Sequence, residues 1–125
     1  MRNNPTYVKA LDFSVRIVKL FKYLKYQKDE CVISNQLLRC GTSIGANVSE
    51  AISAESIADF IHKLGIAQKE ANETLYWLDL LRMTDYITEK EYESMNLDCE
   101  EIRKIITSII LTSKQKLSSS KSPKS

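Results

Sequence analysis

Glu50, Glu70, Glu73 and His62 are the residues of this chain whose types can carry metal or acid–base chemistry. Carboxylates on facing helices hold paired metal ions in some bundles, and those centres draw a Glu-x-x-His pair from each of two helices. No Glu-x-x-His occurs here, and the nearest approach, Asp59-x-x-His62, occurs once. A single histidine cannot complete such a centre, so no metal ligand, catalytic residue or cofactor is assigned, and His62 is expected at the surface or an interface. Cys31, Cys40 and Cys99 are odd in number and form no CxxC pair. They read as reduced thiols, two of them facing the core, in a cytoplasmic protein. No basic partner is fixed beside Cys40 by sequence, so it reads as a small packing residue and not a nucleophile. With no glycine-rich phosphate loop, nucleophile elbow or zinc spacing present, the chain is expected not to be an enzyme.

Charge gives the second kind of chemistry. Residues 1–28 carry seven Lys/Arg against Asp12 alone, residues 29–101 five against fifteen Asp/Glu, and residues 102–125 six with no acid. Basic ends thus flank an acidic middle, although the whole chain carries only +2. Lys9, Arg16, Lys19, Lys22 and Lys25, with Arg103, Lys104, Lys114 and Lys116, are the candidate nucleic-acid-binding residues. Cations that neutralise phosphates release counterions, so such binding is steeply salt-dependent. Tyr23 and Tyr26 interleave with the lysines and offer rings on which exposed bases can stack. The competing reading is a Lys-rich solvated face, and a sequence pI of about 8.4 is modest for a nucleic-acid-binding domain.

These side chains must be positioned by helices. Three Gly and two Pro in 125 residues leave few turns, and no window is apolar enough to span a membrane. Asn4-Pro5 is a helix start, and Ala10, Phe13, Ile17, Leu20, Phe21 and Leu24 follow at helical spacing. Tyr7, Leu11 and Val18 widen that apolar sector beyond what one seam needs, which suggests contact with more than the chain's own core. Asp29 is placed to cap a second helix over about 30–52, with Ile33, Leu37, Ile44, Val48 and Ile52 inward. Ser53 or Ser56 caps a third over about 56–83, with Ser56-Ile-Ala-Asp59 resembling a capping box, and Gln68 interrupts its apolar seam. Thr88 and Glu91 form a capping box for a fourth over about 88–117. Residues 118–125 read as a disordered basic tail. The fold class expected is all-α, an antiparallel up-down-up-down left-handed four-helix bundle spanning residues 1–117 as one domain.

Gly41 and Gly45 lie four apart inside the second helix, where each glycine costs about 1 kcal/mol relative to alanine. Close approach of another backbone or a deliberate bend would offset that cost. With the second turn centred near residue 55, Arg39 falls level with Glu70 and Glu73, which predicts a charge-assisted contact to one of them.

The segments LLRCGTSIGANVSEA (Leu37–Ala51) and ADFIHKLGIAQKEANETLYWLDLL (Ala58–Leu81) resemble the bacterial four-helix-bundle proteins also called 23S rRNA intervening-sequence proteins. By position, Arg39, Ser43, Asn47, Glu50, Lys69, Glu70, Glu73, Tyr76 and Trp77 match family motif positions. Many relatives have proline where this chain has Gly45, which favours a bend or a loosened turn there, and Gln68 replaces a usual apolar residue. The resemblance implies a homo-oligomer, commonly a pentamer, with no known catalytic activity. It also implies kinship with the accessory variability determinant of diversity-generating retroelements, which binds nucleic acid and a reverse transcriptase through basic surface. Two readings follow. One is a non-enzymatic accessory protein that binds RNA or DNA. The other is a protein-interaction scaffold without nucleic acid, in which Tyr76 and Trp77 anchor a subunit interface; Trp77 equally reads as core.

Overall fold

The computed structural model describes residues 3–121. Asn4 accepts from the Tyr7 N–H at 3.1 Å and Pro5 occupies the first turn, so α1 runs Pro5–Gln27. It stops where Asp29 turns left-handed at φ 54 and the Glu30 N–H bonds back to the Leu24 carbonyl at 2.9 Å.

The expected cap of the second helix needs correction. With Asp29 committed to the turn, the next residue does the capping. The Glu30 carboxylate accepts from the N–H groups of Val32 (3.2 Å), Ile33 (2.8 Å) and Ser34 (2.8 Å), so α2 spans Val32–Ile52. Glu30 is buried, and three donors at a positive helix terminus are what compensate its desolvation. Glu30→Ala leaves those donors without their acceptor and is expected to cost about 2 kcal/mol, read from the urea midpoint.

Ser56 accepts from the Asp59 N–H at 3.0 Å and opens α3, Ile57–Met83. Beyond its C-cap Thr84 the chain turns left-handed at Asp85, φ 63, where the Tyr86 N–H returns to the Leu81 carbonyl and the Asp85 N–H to that of Arg82. Thr88 and Glu91 cap each other reciprocally, at 2.8 and 3.1 Å, ahead of α4, Glu89–Lys121. That helix extends past 117, so the first residues of the expected tail are helical; 122–125 lie outside the described residues.

Paired residues run in opposite senses along every neighbouring pair of helices. Ile17 meets Gly41 while Ala10 meets Gly45; Arg39 meets Glu73 while Glu50 meets Lys63. On α3 and α4, Gln68 meets Thr107 while Asp79 meets Tyr92; on α1 and α4, Lys9 meets Glu101 while Arg16 meets Asp98. The protein is an all-α four-helix bundle, with α1 beside α2 and α4, and α3 completing the square. Phe13, Ile17 and Leu24 of α1 pack with Leu37 and Ile44 of α2, Leu78 and Leu81 of α3, and Ile102 and Ile106 of α4. Gln68 sits where an apolar side chain was expected because its Nε2 donates to Thr107 Oγ1 at 2.5 Å, tying α3 to α4.

Both glycines of α2 lie against α1. α2 runs unbroken through both. A Cβ on Gly41 would meet three carbons of the Ile17 side chain at 2.8 Å, and one on Gly45 would meet Ser14 Oγ at 3.0 Å and the Ala10 carbonyl oxygen at 3.4 Å. They let α1 lie close against α2. Gly65 on α3 has nothing within 4 Å of a Cβ, so Gly65→Ala is expected to raise stability by about 0.5–1 kcal/mol in a urea titration.

Candidate functional site

Helical spacing from Gln36 through Ser43 to Glu50 on α2, and from Glu70 to Trp77 on α3, sets the motif residues along the α2–α3 flank. Arg39 bonds both predicted carboxylates: Nη1 donates to Glu70 Oε2 at 3.3 Å, and Nη2 to Glu73 Oε2. Glu73 also accepts from Trp77 Nε1 at 3.0 Å, so one carboxylate ties the guanidinium to the indole. Trp77 is half-buried against the core and Tyr76 is exposed, with the two rings edge to face at 4.9 Å. Asn47 is buried, and its Nδ2 donates to the Ser43 carbonyl and hydroxyl oxygens at 2.9 and 3.1 Å. Glu50 pairs with Lys63 at 3.6 Å, while Lys69 is exposed.

The cluster's chemistry is that of a structural clasp. Its carboxylates are spent as acceptors, and among the described residues no group of three or more His, Cys, Asp or Glu is placed to hold a metal ion. His62 is exposed on α3. Burial pushes the Cys40 thiol up to about 11, against the opposing effect of the hydroxyl of Thr74, which donates to its sulfur at 3.3 Å. Burial likewise pushes Cys99 up to about 12. Both are therefore protonated at neutral pH, whereas Cys31 is exposed. Iodoacetamide at pH 8 is expected to modify Cys31 alone in the folded protein and all three thiols in urea, as read by intact mass.

The basic candidates do not converge. α1 and α4 are antiparallel, so Lys19, Lys22 and Lys25 lie toward the end of the bundle where α2 begins, and Lys114 and Lys116 toward the opposite end. Lys116 lines a pocket with Ala51–Ile52 and Ala54–Ile57 at that far end. Three other candidates are neutralised. Lys9 pairs with Glu101 at 2.6 Å, Arg16 with Asp98 and with Ser94 Oγ at 2.8 Å, and Arg103 with Glu100 at 2.7 Å. The hydrogen bond to Glu100 also raises the Arg103 pKa, and the buried Nε of Arg103 has no acceptor. The acidic middle of the sequence thus discharges part of the basic flanks.

What remains is the second half of α1, together with Lys104, Lys114 and Lys116 of α4, of which the last two lie at the opposite end. Lys19, Lys22 and Lys25 are exposed, as is Lys104 on α4, and none lies in an ion pair among the described residues. The Lys25 ammonium sits 5.5 Å from the ring centroids of both Phe21 and Tyr26, and that of Lys28 sits 5.7 Å from Tyr23. Tyr23 is half-buried against the core, so of the two expected stacking rings Tyr26, 69% accessible, is the more exposed. Sequence reasoning missed Lys90, which shares an open groove of about 460 Å³ with Arg16 and Lys19 across α1 and α4. It sits inside the acidic segment, and only the register of α4 on α1 reveals its neighbours. Glu91 borders the same groove, its carboxylate bonded to the Thr88 N–H.

A family model described as "23S rRNA-intervening sequence protein" matches residues 2–108. Among solved structures, a protein of unknown function from the S23 ribosomal protein family of Bacteroides thetaiotaomicron is 57% identical. It superimposes with a TM-score of 0.85 over 88% of this chain and 98% of its own. No curated protein matches the chain. Among the described residues no helix is long and apolar enough to cross a membrane.

Proposed function

The chain belongs to the 23S rRNA-intervening sequence protein family, and from that premise we propose that it is a non-enzymatic accessory protein that binds RNA or DNA through the basic surface of α1. The observation that carries this reading is the contrast among its cations. Lys9, Arg16 and Arg103 are held by acids, whereas Lys19, Lys22 and Lys25 stand exposed in a row with no acidic partner among the described residues. Unpaired cations repeated along one helix present the charge a phosphate backbone complements. Filter retention of labelled RNA and DNA at low salt, lost as salt is raised, is the expected result. No retention of either, even at low salt, removes the reading.

A second reading, assembly into a homo-oligomer, rests on a different observation. Val8, Leu11 and Val15 are exposed on the first half of α1, beside a smooth α1–α2 surface of Ser14, Thr42, Gly45 and Ala46. Apolar ridges next to small residues suit a closely packed helix from another copy. Light scattering of the native protein is expected to give a mass several times 14.3 kDa, with five copies as the number the family resemblance implies. A monomer at micromolar concentration overturns it.

A further inference from the structure

Val8, Leu11, Val15, Lys19, Lys22 and Tyr26 succeed one another in steps of three and four, and all six are exposed. They form one stripe along α1, opposite the buried Ala10, Phe13, Ile17 and Leu24. The stripe changes chemistry at its middle, apolar up to Val15 and cationic from Lys19. Its cationic half ends on the most accessible ring of α1, that of Tyr26. From Lys19 to Tyr26 it extends about 10 Å, at roughly 1.5 Å per residue.

Resting on the nucleic-acid reading above, we infer that this half-stripe takes a single strand, with phosphates on Lys19 and Lys22 and an unpaired base stacked on Tyr26. The ring is what separates a single strand from a duplex. A base inside a duplex keeps both faces against its neighbours and gives nothing to Tyr26, whereas an unpaired base can lay a face on the phenol. Lys25 already stands 5.5 Å from the Tyr26 ring centroid, adding positive charge beside the stacking site. Tyr23 is the poorer platform, because its ring is packed against the core and less accessible than that of Tyr26. Charge on the stripe attracts either form of nucleic acid; Tyr26 makes the choice between them.

The test is fluorescence anisotropy with labelled single strands of about 15 nucleotides, RNA and DNA, and a duplex of equal length. The full chain and its Tyr26→Ala and Tyr26→Phe variants are compared, with thermal melting to establish that each is folded. Single strands are expected to bind more tightly than the duplex. Tyr26→Ala should weaken single-strand binding by about tenfold and leave duplex binding unchanged, and Tyr26→Phe should retain the single-strand affinity. Equal affinity for duplex and single strand, or a Tyr26→Ala variant that binds single strands like the parent, overturns the stacking proposal while leaving nucleic-acid binding in place. Failure of every probe to bind at low salt overturns both.

Discussion

Gly41→Leu is expected to lower the stability of the bundle by about 3 kcal/mol, measured from the urea midpoint at unchanged slope. Leucine is among the better helix formers, so helix propensity alone would make this substitution stabilising by several tenths of a kcal/mol or more. The penalty arises entirely from space. Even a Cβ at position 41 falls 2.8 Å from three carbons of Ile17, which is fully buried. A leucine must therefore push α1 from α2 or force Ile17 out of its rotamer, and interiors at crystal-like density tolerate neither cheaply. Gly41→Ala should be smaller, about 1 kcal/mol of net loss, because the gain in propensity offsets part of the overlap. Set beside the expected gain from Gly65→Ala, the series separates packing from propensity at two glycines of the same protein. An unchanged midpoint for Gly41→Leu would show that the two helices are not held at this distance.

Reversing three charges on α1, with Lys19→Glu, Lys22→Glu and Lys25→Glu combined, is expected to weaken nucleic-acid binding on the order of a hundredfold near 0.1 M salt. The same reversal at Lys114 and Lys116 is expected to leave affinity within about threefold. The difference follows from placement. The lysines of α1 share one end of the bundle and have no acidic partner among the described residues, while those of α4 lie toward the opposite end. Since Lys19, Lys22 and Lys25 are exposed, both variants should melt near the parent temperature. Equal losses from the two sets would mean that α1 holds no privileged contact. No loss from either would move the interface off the basic residues altogether.

Much of this fold was legible because helix signals are local. Asn4-Pro5, Ser56 and the Thr88–Glu91 box each cap the helix their spacing announced. The level of Arg39 against Glu70 and Glu73 could be read because a short turn fixes the register of α2 on α3. Asp29 was misread because two adjacent acids compete for one terminus. The first entered the left-handed turn, leaving Glu30, one residue later, to reach three N–H groups. Of the two readings of Gly45, the close approach is visible in the fold, since the glycine accommodates the Ala10–Ser14 turn of a different helix. The candidate basic surface was least legible. Whether a lysine is neutralised depends on which face of α4 meets α1, and that register is set by the whole bundle. So Lys9 and Arg16 looked equivalent to Lys19 and Lys22 in sequence, yet only the first two found partners, Glu101 and Asp98.

The most direct test of nucleic-acid binding through α1 is the slope of log Kd against log salt for a single-stranded probe, taken with the unmodified chain. Lys19 and Lys22 in contact with phosphates at about 0.7 counterion released per contact predict that the Kd rises with a slope near 1.4, falling toward zero in the triple Glu variant. A dissociation constant independent of salt, or a slope unaltered by the three substitutions, would contradict the assignment.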